Sequence, residues 1–258
     1  MKAFERLTKR IYNTEPLLAQ YDSFVTKVGK NYIELDSTVA YPEGGGQEAD
    51  HGVLSTPSVQ VKFNDVKKVY TNPVTLNNFP SIDSNGVIWH YIEESDQDKL
   101  SQFAVGDPVT IALDIERRAK LSISHTASHI LYMAIEQCRP GVVDHIFGCH
   151  IKTEGARFDF YTEKFVEAHI QSIEAVCNQL LAENHPIATT LHDENNDAKY
   201  WTCNGFVIPC GGTHINHTGL IQTMRIRRKG LGAGKERIMC TFEANVAQQV
   251  QLMQTHCP

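Results

Sequence analysis

Two pairs of metal-capable side chains constrain this chain more than any other feature. His125 and His129 stand four apart, and Cys210 and His214 repeat that spacing 85 residues further on. The first pair lies in a segment, Ser122 to Gln137, where Ile123, Ala127, Ile130, Leu131 and Ala134 fall on one helical face. On a helix, that spacing puts both imidazoles on one side, about one turn apart, so they can share an ion. In the second pair, Gly211 and Gly212 let the backbone turn sharply and approach a neighbour closely. A thiolate and up to three imidazoles suit Zn²⁺. The separation is too long for a zinc finger, so a folded domain has to assemble the site. Four protein ligands would close it, whereas three would leave a position for water. On spacing alone, His214 is either a ligand or the holder of a water beside the metal.

Other readings of these residues are weaker. No Glu follows His125, so the HExxH arrangement of a zinc protease is absent. Gly230 to Glu236 suggests a phosphate-binding loop. Lys229 stands where the first Gly is required and Glu236 follows Lys235, so no ATP site is expected. His145, Cys149 and His150 form a local cluster of lesser promise, and His185 and His192 read as surface residues.

The rest of the chain divides in two. A length of 258 residues fits one large or two modest domains. Up to Glu116 there are 10 basic and 17 acidic residues, net −7; from Arg117 onward the balance is +1. Nine of the 12 histidines lie between His125 and His217. The first part reads as β-rich, with strands expected at Tyr32–Asp36, Val59–Tyr70, Val87–Ile92 and Val109–Leu113, and turn signals between them. A small antiparallel barrel over residues 1–116 follows. The second part, 117–258, carries helical periods at Ser122–Gln137 and Glu163–Asn184, the latter with Thr162 as N-cap. Short strands such as Ala156–Phe160 flank them. The fold class is therefore α+β, a barrel followed by an α/β two-layer domain.

Composition limits location and partners. No run approaches the length of a membrane-spanning helix, and the start, MKAFERLTKR, lacks the apolar core of a secretory signal. Seven cysteines (Cys138, Cys149, Cys177, Cys203, Cys210, Cys240, Cys257) show no disulfide framework, so a reduced, cytoplasmic setting is expected. The net charge of −6 argues against a general nucleic-acid coat protein. Locally, however, Arg225, Arg227, Arg228, Lys229, Lys235 and Arg237 form a basic run suited to phosphates, to which Arg117, Arg118 and Lys120 either add or cap the domain junction.

Five segments in order resemble one known family. They are Tyr41-Pro42-Glu43-Gly44-Gly45-Gly46-Gln47 with Asp50 and Gly52, Gly106-Asp107-Pro108-Val109 leading to Glu116-Arg117-Arg118, His125-Thr126-Ala127-Ser128-His129, Ala156 to Phe160, and Ile208 to His214. Together they are similar to AlaX, the free-standing relatives of the alanyl-tRNA synthetase editing domain, of the medium type. The resemblance implies an editing domain of the threonyl/alanyl-tRNA synthetase type. It implies hydrolysis of the ester of tRNA(Ala) mischarged with serine, and often glycine. It assigns one Zn²⁺ per chain to His125, His129, Cys210 and His214, with Thr126 and His214 at the reacting end and Thr126 meeting the serine hydroxyl. Gly44, Gly45, Gly46 and Gln47 are implied to position the tRNA or the editing core. The chain departs from the family at Leu220-Ile221-Gln222 and at Ala40, departures that bear on amino-acid preference. Two alternatives stand beside this reading: an editing relative acting on another mischarged tRNA, and a non-catalytic zinc module that binds tRNA.

Overall fold

The computed structural model describes residues 6–77 and 79–256; Met1 to Glu5 of the charged start, and Cys257, lie outside the described residues. Six antiparallel strands close into a barrel: β1 (Gln20–Val28), β2 (Tyr32–Leu35), β3 (Gly52–Ser55), β4 (Gln60–Val69), β5 (Val87–Ile92) and β6 (Pro108–Leu113). Their order is β6-β1-β2-β5-β4-β3, with β3 returning to β6. Alternation along each strand turns Val25, Ile33, Leu54, Val61, Phe63 and Ile111 inward, each at most 1% exposed. A small hairpin, Asn72–Val74 with Ile82–Ser84, projects from the end of β4.

The second half packs helices on a sheet. α1 (Ile115–Cys138) is followed by β7 (Ile146–Lys152), β8 (Gly155–Tyr161), α2 (Glu167–Ala182), β9 (Ile187–His192), β10 (Asn195–Cys203), β11 (Phe206–Pro209), β12 (Ile221–Gly232), β13 (Lys235–Ala244) and α3 (Val246–Gln254). One sheet runs β7-β8-β13-β12 and a second β9-β10-β11. α1 and α2 pack on each other and on the larger sheet, α1 mainly against β7 and β8 and α2 against β12. Ile123, Ala127, Ile130, Leu131 and Ala134, the expected helix face, are all fully buried in this core with Phe160, Met224 and Ile238.

Both helix starts differ from expectation. α1 begins at Ile115 rather than near Ser122, capped by Asp114 Oδ1, which accepts from the Arg117 N–H at 3.0 Å. The charged run Glu116 to Lys120 hides the apolar period there. α2 begins at Glu167, and Thr162 is not its cap. Phe165 is fully buried, with the Arg139 guanidinium 4.5 Å from its ring centroid, and this anchor keeps 162–166 out of the helix. The end of α1 is as expected, with Gly141 at φ 80° after Arg139. Gly230 to Gly234 forms the end of the β12–β13 hairpin.

Arg118 joins the two halves rather than adding to a basic surface. Its side chain and that of Asp50 are fully buried together. Nε donates to both Asp50 oxygens at 3.0 Å, and Nη2 donates to Asp50 Oδ2 and to the Val39 carbonyl. Arg117 reaches the Ala49 carbonyl and Glu48, each at 3.0 Å. The Gly44–Asp50 segment is thereby clamped to the first turn of α1. Within the described residues, no helix is long and apolar enough to cross a membrane.

Candidate metal centre

His125 and His129 face the same way from the middle of α1, while Cys210 and His214 follow β11 on a turn packed against that helix. One donor atom from each of the four lies within 4.8 Å of the others. Cys210 Sγ is 3.3 Å from His125 Nε2 and 3.3 Å from His214 Nε2. Gly212 has to be glycine. A Cβ there would lie 2.1 Å from His125 Cε1, so any side chain would push the turn off the helix.

The outer nitrogens of two imidazoles are held by side chains. Gln47 Oε1 accepts from His125 Nδ1 at 2.7 Å and from the Thr213 N–H at 3.1 Å. The Gln47 amide donates to Thr213 Oγ1 at 3.1 Å, and the Ser122 hydroxyl donates to that same oxygen at 2.9 Å. With Nδ1 carrying the proton, Nε2 of His125 presents its lone pair to the cluster. Thr126 Oγ1 lies 3.2 Å from His214 Nδ1 and accepts from the Ile215 N–H at 3.3 Å. Thr126, expected to meet a substrate hydroxyl, is fully buried and engaged with a ligand candidate.

Burial sets the electrostatics. It pushes His125 and His214 well below the ordinary histidine range and His129 down to about 3. It pushes the Cys210 thiol up to about 11. The protein thus offers three neutral imidazoles and a thiol that lacks a positive partner strong enough to ionise it. His129 Nδ1 is buried without a hydrogen bond among the described residues. A divalent cation would supply the missing charge, and the N₃S donor set fits Zn²⁺.

Two residues that sequence reasoning missed complete the surroundings. Lys199 is buried, its ammonium donating to the Gly212 carbonyl at 3.3 Å, and burial lowers its pKa to about 8. Trp201 is fully buried with its ring edge-on to His129, centroids 4.6 Å apart. A lone Lys and a lone Trp in β10 carry no spacing signal, and only the fold brings them here.

The remaining expected residues separate into two places. Gly44 to Gln47 make a tight turn, Gly45 and Gly46 both at positive φ, which adds to the edge of β7 through Ile151. Of this motif, Gln47 alone reaches the metal cluster. The basic run lies on the β12–β13 hairpin. Arg225 pairs with Glu174, Arg228 with Glu236 and Arg237 with Asp159. Lys235 sits over the Phe147 and Tyr161 rings. Arg227 and Lys229 are exposed with no ion pair among the described residues. Strand register puts Arg227, Met239, Arg157 and His150 in one row across the sheet, on the face opposite the helices. His145 and Cys149 are not in the four-residue cluster. A cleft of about 490 Å³ opens beside Cys210 and Gly211, its other wall formed by the barrel.

Residues 201–239 match the family described as "Threonyl and Alanyl tRNA synthetase second additional domain". The chain is 29% identical over 270 residues to the alanine–tRNA ligase of Ignicoccus hospitalis, and 30% identical over 255 residues to that of Thermococcus kodakarensis. These alignments cover 96% and 90% of the chain but only 27% and 25% of the ligases, so the chain spans about a quarter of their length. It is 27% identical over 239 residues to the alanyl-tRNA editing protein AlaX-M of Pyrococcus horikoshii, covering 92% of the chain and 99% of that protein. The chain is homologous to alanyl-tRNA synthetases and to this free-standing editing protein.

Proposed function

We propose that this chain is a zinc-dependent deacylase that hydrolyses the ester bond of mischarged tRNA(Ala), the seryl ester first and the glycyl ester second. One observation carries the reading: His125, His129, Cys210 and His214 converge beside an open cleft, in a chain that aligns with nearly the whole of an alanyl-tRNA editing protein. In the reaction, water adds to the aminoacyl carbonyl and the ester C–O bond breaks; one of the water's protons passes to the ribose oxygen, the other is released to solvent, and the amino acid leaves as a carboxylate. When bound, Zn²⁺ supplies either an acidified water or a polarised carbonyl. Gln47 fixes the tautomer and angle of His125, and Thr126 holds the angle of the His214 ring. Thr126 is thus a positioning residue. Lys199 places a positive charge against the Gly212 carbonyl and steadies the turn between Cys210 and His214. Arg227 and Lys229, with the paired arginines around them, supply a basic sheet face for acceptor-stem phosphates. The barrel, residues 1–116, contributes Gln47 and one wall of the cleft, and residues 117–258 carry the metal.

The test is a panel of esters. Ser-tRNA(Ala) and Gly-tRNA(Ala) should be hydrolysed well above background, with Ala-tRNA(Ala) and Ser-tRNA(Ser) spared. A clear preference for a different tRNA favours the other-substrate alternative. The convergence of four protein donors also favours a second reading, a non-catalytic zinc module that binds tRNA. Tight tRNA binding with no hydrolysis of any ester is its signature.

A further inference from the structure

The cleft beside Cys210 has a barrel wall that the metal cluster does not use. Its floor is Cys210 and Gly211, and the barrel side is formed by Lys67 and Lys68 of β4 and by the hairpin segment around Phe79 and Asp83. The two lysines differ. Lys67 is exposed and pairs with Asp65 at 3.3 Å and Glu43 at 3.8 Å. Lys68 is half-buried, and its ammonium has no hydrogen bond or ion pair among the described residues. Of the nearby carboxylates, Asp197 is already held by Arg10, by the Ser84 hydroxyl at 2.7 Å and by the Asn85 N–H at 3.1 Å. Burial lowers the Lys68 pKa, with Arg10 adding repulsion and Asp197 and Asp83 opposing it. A cation drawn out of water without a partner is costly, so an anion arriving here is favoured. Phe79 lies edge-on against Tyr200 and His192, centroids 5.0 and 5.6 Å away, and still lines the cleft. Glu43, paired with Lys67, and Asp83 also line the cleft and offer acceptors. One anion-seeking ammonium, one aromatic ring and two acceptors, in a space of about 490 Å³, are the complement of a single nucleotide.

We infer that this cleft holds the 3′-terminal nucleotide of the tRNA, its phosphate on Lys68, its base against Phe79, and its aminoacyl ester directed toward Cys210. The inference rests on the deacylase reading above, and it gives the barrel a role in gripping the RNA end. It also explains how an acidic barrel can serve a nucleic acid: a single phosphate needs one placed cation rather than a basic surface.

The test compares wild type with Lys68→Ala, Lys68→Arg and Phe79→Ala, each checked for an unchanged melting temperature. Binding of an uncharged RNA minihelix ending in CCA is measured by fluorescence anisotropy. Hydrolysis is measured on the seryl minihelix and on the seryl ester of adenosine, which lacks the phosphate. Lys68→Ala should weaken minihelix binding and raise KM about tenfold with kcat largely kept. Lys68→Arg should retain most of the affinity, and the Lys68→Ala loss should shrink on the adenosine ester. Phe79→Ala should weaken both esters alike. Equal binding by wild type and Lys68→Ala, or an equal loss on both esters, overturns the inference. If no ester is cleaved but minihelix binding still depends on Lys68, the cleft stands and the deacylase reading falls. If esters are cleaved without regard to Lys68, the reverse holds.

Discussion

Gln47 and Thr126 do related work from opposite sides. Each holds the outer nitrogen of one imidazole, so each sets where a ligand lone pair points. For Thr126 this yields a discriminating prediction. If it positions His214, Thr126→Val should lower kcat on seryl and glycyl esters by a similar factor, about tenfold, and should loosen zinc binding measured by competition with a chelator. A hydroxyl that touched the substrate serine would instead cost the seryl ester alone. Single-turnover rates on the two esters separate the cases. The four donors were legible from spacing, because two i, i+4 pairs of His and Cys are rare without a shared purpose. The role of Gln47 was not, since 78 residues separate it from His125. Its motif advertised a glycine turn, and the side chain that follows the turn is what reaches His125.

At the scale of elements, α1 organises both the cluster and the junction. Its first turn carries Arg118, and His125 lies two turns on, so clamping Asp50 fixes the distance from Gln47 to His125. The strands and the apolar face of α1 were readable by period. The start of α1 was not, because a buried ion pair looks like surface charge in sequence. The barrel has its own polar core element in His90 of β5, which is fully buried. Its Nδ1–H donates to the Ile33 carbonyl at 3.2 Å, and Nε2 accepts from the Thr38 hydroxyl at 2.8 Å, so the neutral ring satisfies both partners. Burial lowers its pKa to about 4. An unfolded histidine titrates near 6.5, so between these values protons favour the unfolded chain. The stability due to His90 is complete above about pH 6.5 and falls by about 1.4 kcal/mol per pH unit as pH drops toward 4. Urea unfolding at pH 6.5 and 5.5 should therefore show His90→Gln losing less stability than wild type across that unit, by about 1 kcal/mol, because the unfolded histidine is already half protonated at pH 6.5. Parallel losses in the two proteins would count against it.

On the scale of the whole molecule, charge and chemistry are divided between the halves. The barrel half carries net −7 and the other half +1, and the whole-chain value of −6 hides a basic sheet face and one placed lysine. The division into a barrel and a helix-on-sheet half was legible from the change of hydrophobic period. The contact between them was legible only at Arg117 and Arg118, whose charges read as either a basic surface or a junction cap; Gln47–His125, Arg10–Asp197 and the cleft have no local sequence signature. Neither half holds the site alone: His125, His129, Cys210 and His214 come from one half, and the side chain that orients His125 comes from the other. The central claim, that these four residues hold a zinc on which ester hydrolysis depends, has a direct test. Wild-type protein is stripped with a chelator and assayed on Ser-tRNA(Ala) before and after one equivalent of Zn²⁺, beside Cys210→Ala treated identically. The account predicts that stripping abolishes hydrolysis, that one equivalent restores it, and that Cys210→Ala neither binds zinc tightly nor recovers. Full hydrolysis by folded, metal-free protein would contradict it.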